Sequence, residues 1–113
     1  MTAQLERHWT AVCRYDDLIP ERGVAALVGA EPVAVFRAHD GQLYALSNLD
    51  PFSDASVLSR GIVGDRSGAP TVASPIYKQV FDLRTGGCLD DPDVAVVTFP
   101  VRVRDGTVEV GSP

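Results

Sequence analysis

The amino-acid sequence predicts an antiparallel all-β domain, and three observations predict it. The periodicity is that of β structure, as where Trp9, Ala11 and Cys13 alternate with Thr10, Val12 and Arg14. Turn-forming pairs punctuate these short segments, the clearest being Asp40-Gly41 and Asp105-Gly106. No stretch supports a long helix.

The elements follow in order. Residues 9–14 read as a first strand, and Asp16-Asp17-Leu18-Ile19-Pro20 as a turn. Val24 to Val28 is a short strand, and Gly29-Ala30-Glu31 makes a tight connection into Pro32 to Arg37. Asp40-Gly41 suits a type I′ turn and leads into Gln42 to Ser47. Residues 48–70 are rich in Asp, Ser, Gly and Pro and read as a long irregular segment, with one helical turn at Ala55 to Leu58. Strand signals resume at Thr71-Val72-Ala73 and Gln79 to Leu83, followed by a turn at Thr85-Gly86-Gly87. Asp90 to Asp93 is an acidic loop, and Val94 to Val97 is β-rich. Val101 to Arg104, Asp105-Gly106 and Val108 to Val110 form a closing hairpin. Val103, Val108 and Val110 face one side of it, and Arg102, Arg104 and Glu109 the other.

Size and charge bound the function. At 113 residues the chain suits one domain spanning 1–113, and two domains for cofactor and substrate do not fit. The 45% hydrophobic and 22% charged fractions are those of a folded globular protein. A formal net charge of −5 repels phosphate backbones, and no basic stripe offsets it, so nucleic acid is not an expected partner. No apolar run reaches the length of a membrane span. Met1 to His8 is polar and carries no signal-peptide core, so a cytoplasmic location is expected. Cys13 and Cys88 lie far apart, with no second Cys or His at ligand spacing, and read as free structural thiols.

Familiar catalytic templates are missing. No G-x-G-x-x-G leads from a strand into a helix, and neither H-E-x-x-H nor C-x-x-C occurs. Gly61, Gly64 and Gly68 read as turn residues. The two histidines, His8 and His39, flank a strand start and a turn. The expectation is that no catalytic residues reside in this chain.

Two segments carry a more specific pattern. One runs Ala45-Leu46-Ser47-Asn48-Leu49-Asp50-Pro51-Phe52 and on to Gly61. The other runs Ala73-Ser74-Pro75-Ile76-Tyr77-Lys78-Gln79-Val80-Phe81-Asp82-Leu83-Arg84-Thr85-Gly86, with Pro92 beyond. Together they resemble the two cluster-binding loops of Rieske [2Fe–2S] domains, here about 48–61 and 73–88. That family has Cys-Pro-His in the first loop and Cys-Pro-x-His in the second, which continues into Phe-Asp-Leu-x-Thr-Gly. A Rieske centre takes two thiolates on one iron and two imidazoles on the other. At the matching positions this sequence has Asp50, Phe52, Ser74 and Tyr77, while Pro51 and Pro75 remain. The resemblance implies a Rieske-like antiparallel β-sandwich, with a smaller loop-rich subdomain where the cluster sits, and no cofactor in this chain.

A Rieske-like chain of this length without ligands resembles the small subunit of the cytoplasmic NAD(P)H-dependent assimilatory nitrite reductase, from about Trp9 to Val110. Trp9-Thr10-Ala11-Val12-Cys13 and Asp17-Leu18-Ile19-Pro20 also resemble that family's opening. The resemblance implies a non-catalytic part of an oxidoreductase that reduces nitrite to ammonium. Its implied partner is a large catalytic subunit carrying FAD, an iron–sulfur cluster and sirohaem. A stand-alone Rieske-like binding or regulatory module, and a Rieske-type ferredoxin of another oxidoreductase, are the alternatives.

The vacated tip carries its own expectations. Phe52 and Tyr77 are expected to pack together where a cluster would sit. Alternatively, Phe52, Ile76 and Tyr77 form an exposed apolar patch that docks on a partner. Asp50, beside Pro51, is expected to accept backbone hydrogen bonds. A mononuclear metal on Asp50, Ser74 and Tyr77 would have three oxygen donors and no imidazole, a poor set.

Overall fold

The computed structural model describes residues 8–113, so the polar segment 1–7 lies outside the described residues. Its strands are β1 (Trp9–Arg14), β2 (Arg22–Val28), β3 (Glu31–Arg37), β4 (Leu43–Ser47), β5 (Leu49–Asp50) and β6 (Ala55–Ser56). They continue with β7 (Ile62–Arg66), β8 (Ala69–Ala73), β9 (Val80–Asp82), β10 (Thr98–Phe99), β11 (Val101–Arg104) and β12 (Thr107–Gly111).

Strand β3 explains the layering. Its residues Val33, Ala34, Val35 and Phe36 are all fully buried. Successive side chains of a strand point to opposite faces, so this run needs cover on both sides. The sheet β10–β4–β3–β2 is therefore the middle layer. On one face Val33, Val35 and Ala45 pack with Leu18, Phe99, Val108 and Val110, under the antiparallel sheet β1–β12–β11. On the other face Ala34, Phe36 and Leu46 pack with Leu58, Val72, Phe81, Leu83, Cys88 and Val96. That second core lies under the small sheet β7–β8–β9 and the loops joined to it. Pro100, between β10 and β11, marks the point where the chain leaves the middle sheet for the outer one. The result is an all-β fold: a sandwich with a smaller subdomain on its back.

Several sequence expectations are corrected. The segment 48–70 is not irregular: it contains β5, β6, β7 and the start of β8. Ser67 (φ 54°) and Gly68 (φ 88°) both take the left-handed conformation, closing a tight β7–β8 hairpin. The helical turn expected at Ala55 to Leu58 is instead a two-residue strand, followed by a 3₁₀ turn at Leu58–Arg60. Strand β9 is shorter than Gln79 to Leu83, and Val94 to Val97 contributes one bridge, Ala95 to Gly87. Asp40-Gly41 does not form a type I′ turn, because only Gly41 (φ 87°) is left-handed there. The Gly41 amide donates to Ala38 O at 2.9 Å, and Asp40 Oδ1 accepts from the Gln42 amide at 3.0 Å. Asp105 (φ 53°) and Gly106 (φ 79°), both left-handed, do close the expected hairpin between Arg104 and Thr107. Its register, Arg102 to Glu109 and Val103 to Val108, puts the expected residues on each face, although Val103 at the sheet edge is 46% exposed.

Candidate functional site

Two loops project beyond the middle sheet from the ends of β4 and β8, and they share one plan. In the first, Asp50 Oδ1 accepts from the Phe52 amide at 2.9 Å, and Asp50 O accepts from the Asp54 amide at 2.7 Å. In the second, Ser74 Oγ accepts from the Ile76 amide at 3.3 Å, and Ser74 O accepts from the Lys78 amide at 3.1 Å. Each central residue is followed by proline, which presets φ for the turn. Each loop ends on a left-handed residue, Asp54 (φ 61°) or Lys78 (φ 67°). Polar residues at 50 and 74 thus hold the amides at i+2 with the side chain and at i+4 with the carbonyl.

The two plans meet at their centres. The Ser74 hydroxyl donates to Asp50 Oδ2, and both residues are fully buried. Burial works to raise the Asp50 pKa, but the Ser74 hydroxyl and the Phe52 amide, with smaller contributions from Ser53, outweigh it. They hold the carboxyl below the usual aspartate value. Asp50 therefore accepts backbone hydrogen bonds as the sequence suggested, and it also accepts one from the opposite loop.

The aromatic residues do not meet. The half-buried Phe52 turns inward against Phe81, with ring centroids 6.2 Å apart and planes tilted by 49°. Tyr77 points outward and is 59% exposed, with Ile76 beside it at 44%. The expected Phe52–Tyr77 pair is thus replaced by Phe52–Phe81, because the core offers Phe52 a partner that is already buried. Of the three expected patch residues, Ile76 and Tyr77 face solvent, whereas Phe52 is half-buried against Phe81 and is not exposed with them.

Phe81 to Gly86 supports the second loop, and each position has a physical task. Phe81 and Leu83 fill the core. Between them Asp82 Oδ1 accepts from the Arg84 amide at 2.8 Å, and Oδ2 lies 3.1 Å from Arg84 Nη2. Arg84 chiefly accounts for the lowered Asp82 pKa. Thr85 Oγ1 accepts from the Gly87 amide at 3.1 Å. Gly86 sits at φ 79°, where an added Cβ would run into the Val96 carbonyl.

Sequence reasoning missed Asn48. It is buried, its Oδ1 accepts from the Ser59 amide at 2.7 Å, and its Nδ2 donates to Ser56 O at 3.2 Å. It fastens the first loop to the 3₁₀ turn. A polar amide directly after an apolar strand was the available signal.

The donor set at the four positions does not fit a [2Fe–2S] cluster. Asp50 and Ser74 are hard oxygen groups already bonded to each other, Phe52 has no lone pair, and Tyr77 points away. Cys13 is in β1, Cys88 lies in the back core, and His39 is in the β3–β4 turn. Among the described residues no three His, Cys, Asp or Glu side chains group as metal ligands.

A sandwich bearing two proline-marked loops above a Phe-Asp-Leu-x-Thr-Gly support defines a Rieske-type scaffold. The model of the Rieske-like [2Fe-2S] domain family matches residues 8–111. The NADH nitrite reductase small subunit of Escherichia coli K12 is 47% identical over 103 residues, covering 90% of this chain and 95% of that protein. A crystal structure assigned to the NADH-dependent nitrite reductase small subunit of Mycobacterium tuberculosis superposes with a TM-score of 0.92. It is 51% identical, over 96% of this chain and 97% of the other. The nitrite reductase [NAD(P)H] large subunit of Klebsiella oxytoca contains a stretch 46% identical over 106 residues, which spans 94% of this chain and 11% of that protein. The chain belongs to the Rieske-like [2Fe-2S] domain family and, within it, to the family of nitrite reductase small subunits.

Proposed function

We propose that this chain is the non-catalytic small subunit of an NAD(P)H-dependent nitrite reductase, acting in the cytoplasm. It supports a large subunit that reduces nitrite to ammonium with FAD, an iron–sulfur cluster and sirohaem. The observation that carries the reading is the 47% identity to a nitrite reductase small subunit across nearly the full length of both chains. The Klebsiella relative supports the partnership, because there a unit like this one shares a polypeptide with the rest of a large subunit. The four tip residues support a role without a cluster. Ile76 and Tyr77 form the exposed part of the docking patch, with the half-buried Phe52 as its anchor.

Reconstitution tests the reading. Purified large subunit should reduce nitrite faster, or keep its activity longer, when this chain is added. Tyr77→Ser should weaken that effect without moving the chain's unfolding midpoint, since the ring is 59% exposed. A large subunit indifferent to saturating wild-type chain would contradict the assignment.

A further inference from the structure

The tip holds together without a cluster, and the structure shows by what. Among the described residues a single hydrogen bond joins the segments 49–56 and 74–79: Ser74 Oγ to Asp50 Oδ2. We propose that this bond is the cross-link that fixes the two loops in one docking arrangement, making Asp50 and Ser74 positioning residues for the large subunit. The inference rests on the small-subunit reading above.

Three features carry it. Asp50 and Ser74 each also hold the amide two residues onward, Phe52 in one loop and Ile76 in the other. Linking the two centres therefore links the backbone that carries the anchor to the backbone that carries the exposed patch. Second, burying a carboxylate is costly, and an apolar filler would often stabilise as well or better. What a hydrogen-bonded pair adds is a fixed distance and direction between loops. Third, the second loop is otherwise closed chiefly on Ser74 itself, whose amide donates to Gln79 O at 2.9 Å and whose carbonyl holds the Lys78 amide. Without the Ser74 hydroxyl the first loop keeps its internal bonds, the second loses only the one at the Ile76 amide, and the two lose their register against each other. A partner would then have to order Ile76 and Tyr77 on binding, and ordering lowers affinity.

The test uses the full chain and the purified large subunit. Binding is titrated for wild type, Ser74→Ala and the double variant D50C/S74C, the last both oxidised and reduced. Ser74→Ala should bind at least about tenfold more weakly, the cost of ordering one or two side chains and their loop. Its Phe52 and Lys78 amides, which keep their own acceptors, should exchange hydrogen faster. The oxidised double variant, whose disulfide restores a link without the charge, should bind within about threefold of wild type, and its reduced form should fall with Ser74→Ala. Wild-type affinity in Ser74→Ala, or equal weakness of the oxidised and reduced double variant, would overturn the proposal. Wild type failing to bind would refute the small-subunit reading instead. Unchanged exchange at the Phe52 and Lys78 amides in Ser74→Ala would then still overturn the cross-link.

Discussion

Ser74→Ala should strand a buried charge. Asp50 has no access to solvent, and the substitution removes the donor on Oδ2 while the Phe52 amide still serves Oδ1. A hydrogen bond to a charged group contributes about 1.5–3 kcal/mol, so a loss near the upper half of that range is expected at neutral pH. For a domain of this size, that lowers Tm by about 10–20 °C. The pH dependence has a definite sign. The native carboxyl is held below its ordinary value. Its contribution is therefore present above the unfolded-state pKa, and it is lost as pH falls through the lower native one. In Ser74→Ala the largest of the contacts that lower it is gone and the Asp50 pKa rises relative to wild type, so the variant's carboxyl protonates first on acidification. The stability gap to wild type should be widest at neutral pH and narrow in acid. Urea unfolding at both pH values reads this directly. An equal midpoint at neutral pH, or a loss of the same size in acid and in an Asp50→Asn background, would refute the reasoning.

Other positions give further expectations. Gly86→Ala places a Cβ at φ 79° against the Val96 backbone. Left-handed strain and overpacking together should cost about 2–5 kcal/mol, measurable by denaturant unfolding. Phe52→Ala removes a half-buried ring from Phe81. It should cost about 2 kcal/mol, short of the loss for a fully buried Phe, with the same m-value. Purified, well-folded chain should contain no iron by elemental analysis and show no visible iron–sulfur absorbance.

Much of this architecture is legible in sequence, and the exceptions have physical causes. Outer strand β12 alternates through Val110 because one face meets solvent, whereas β1 shifts register at a bulge between Ala11 and Cys13, so that Val12 and Cys13 both pack on the core. The β7–β8 hairpin escapes notice because β7 reads Ile62-Val63-Gly64-Asp65-Arg66. It is mostly exposed and offers one packed apolar side chain, Val63, to the core. Its turn pair, Ser67-Gly68, was the usable signal. At the tip, the resemblance located Asp50, Phe52, Ser74 and Tyr77, but local sequence could not pair them. Residues 50 and 74 are 24 positions apart, and only the β8 register brings the second loop against the first. Nor could it foresee that Phe52 would prefer Phe81, since that choice depends on the core formed by β3, β4 and β8 beneath it.

Affinity purification of this chain from its own cells, with the visible spectrum of the eluate, tests the central claim most directly. The account predicts a co-purifying large chain whose absorbance shows sirohaem and flavin and which oxidises NAD(P)H on addition of nitrite. Recovery of the chain in well-folded form without such a partner, from cells growing on nitrite, would contradict it.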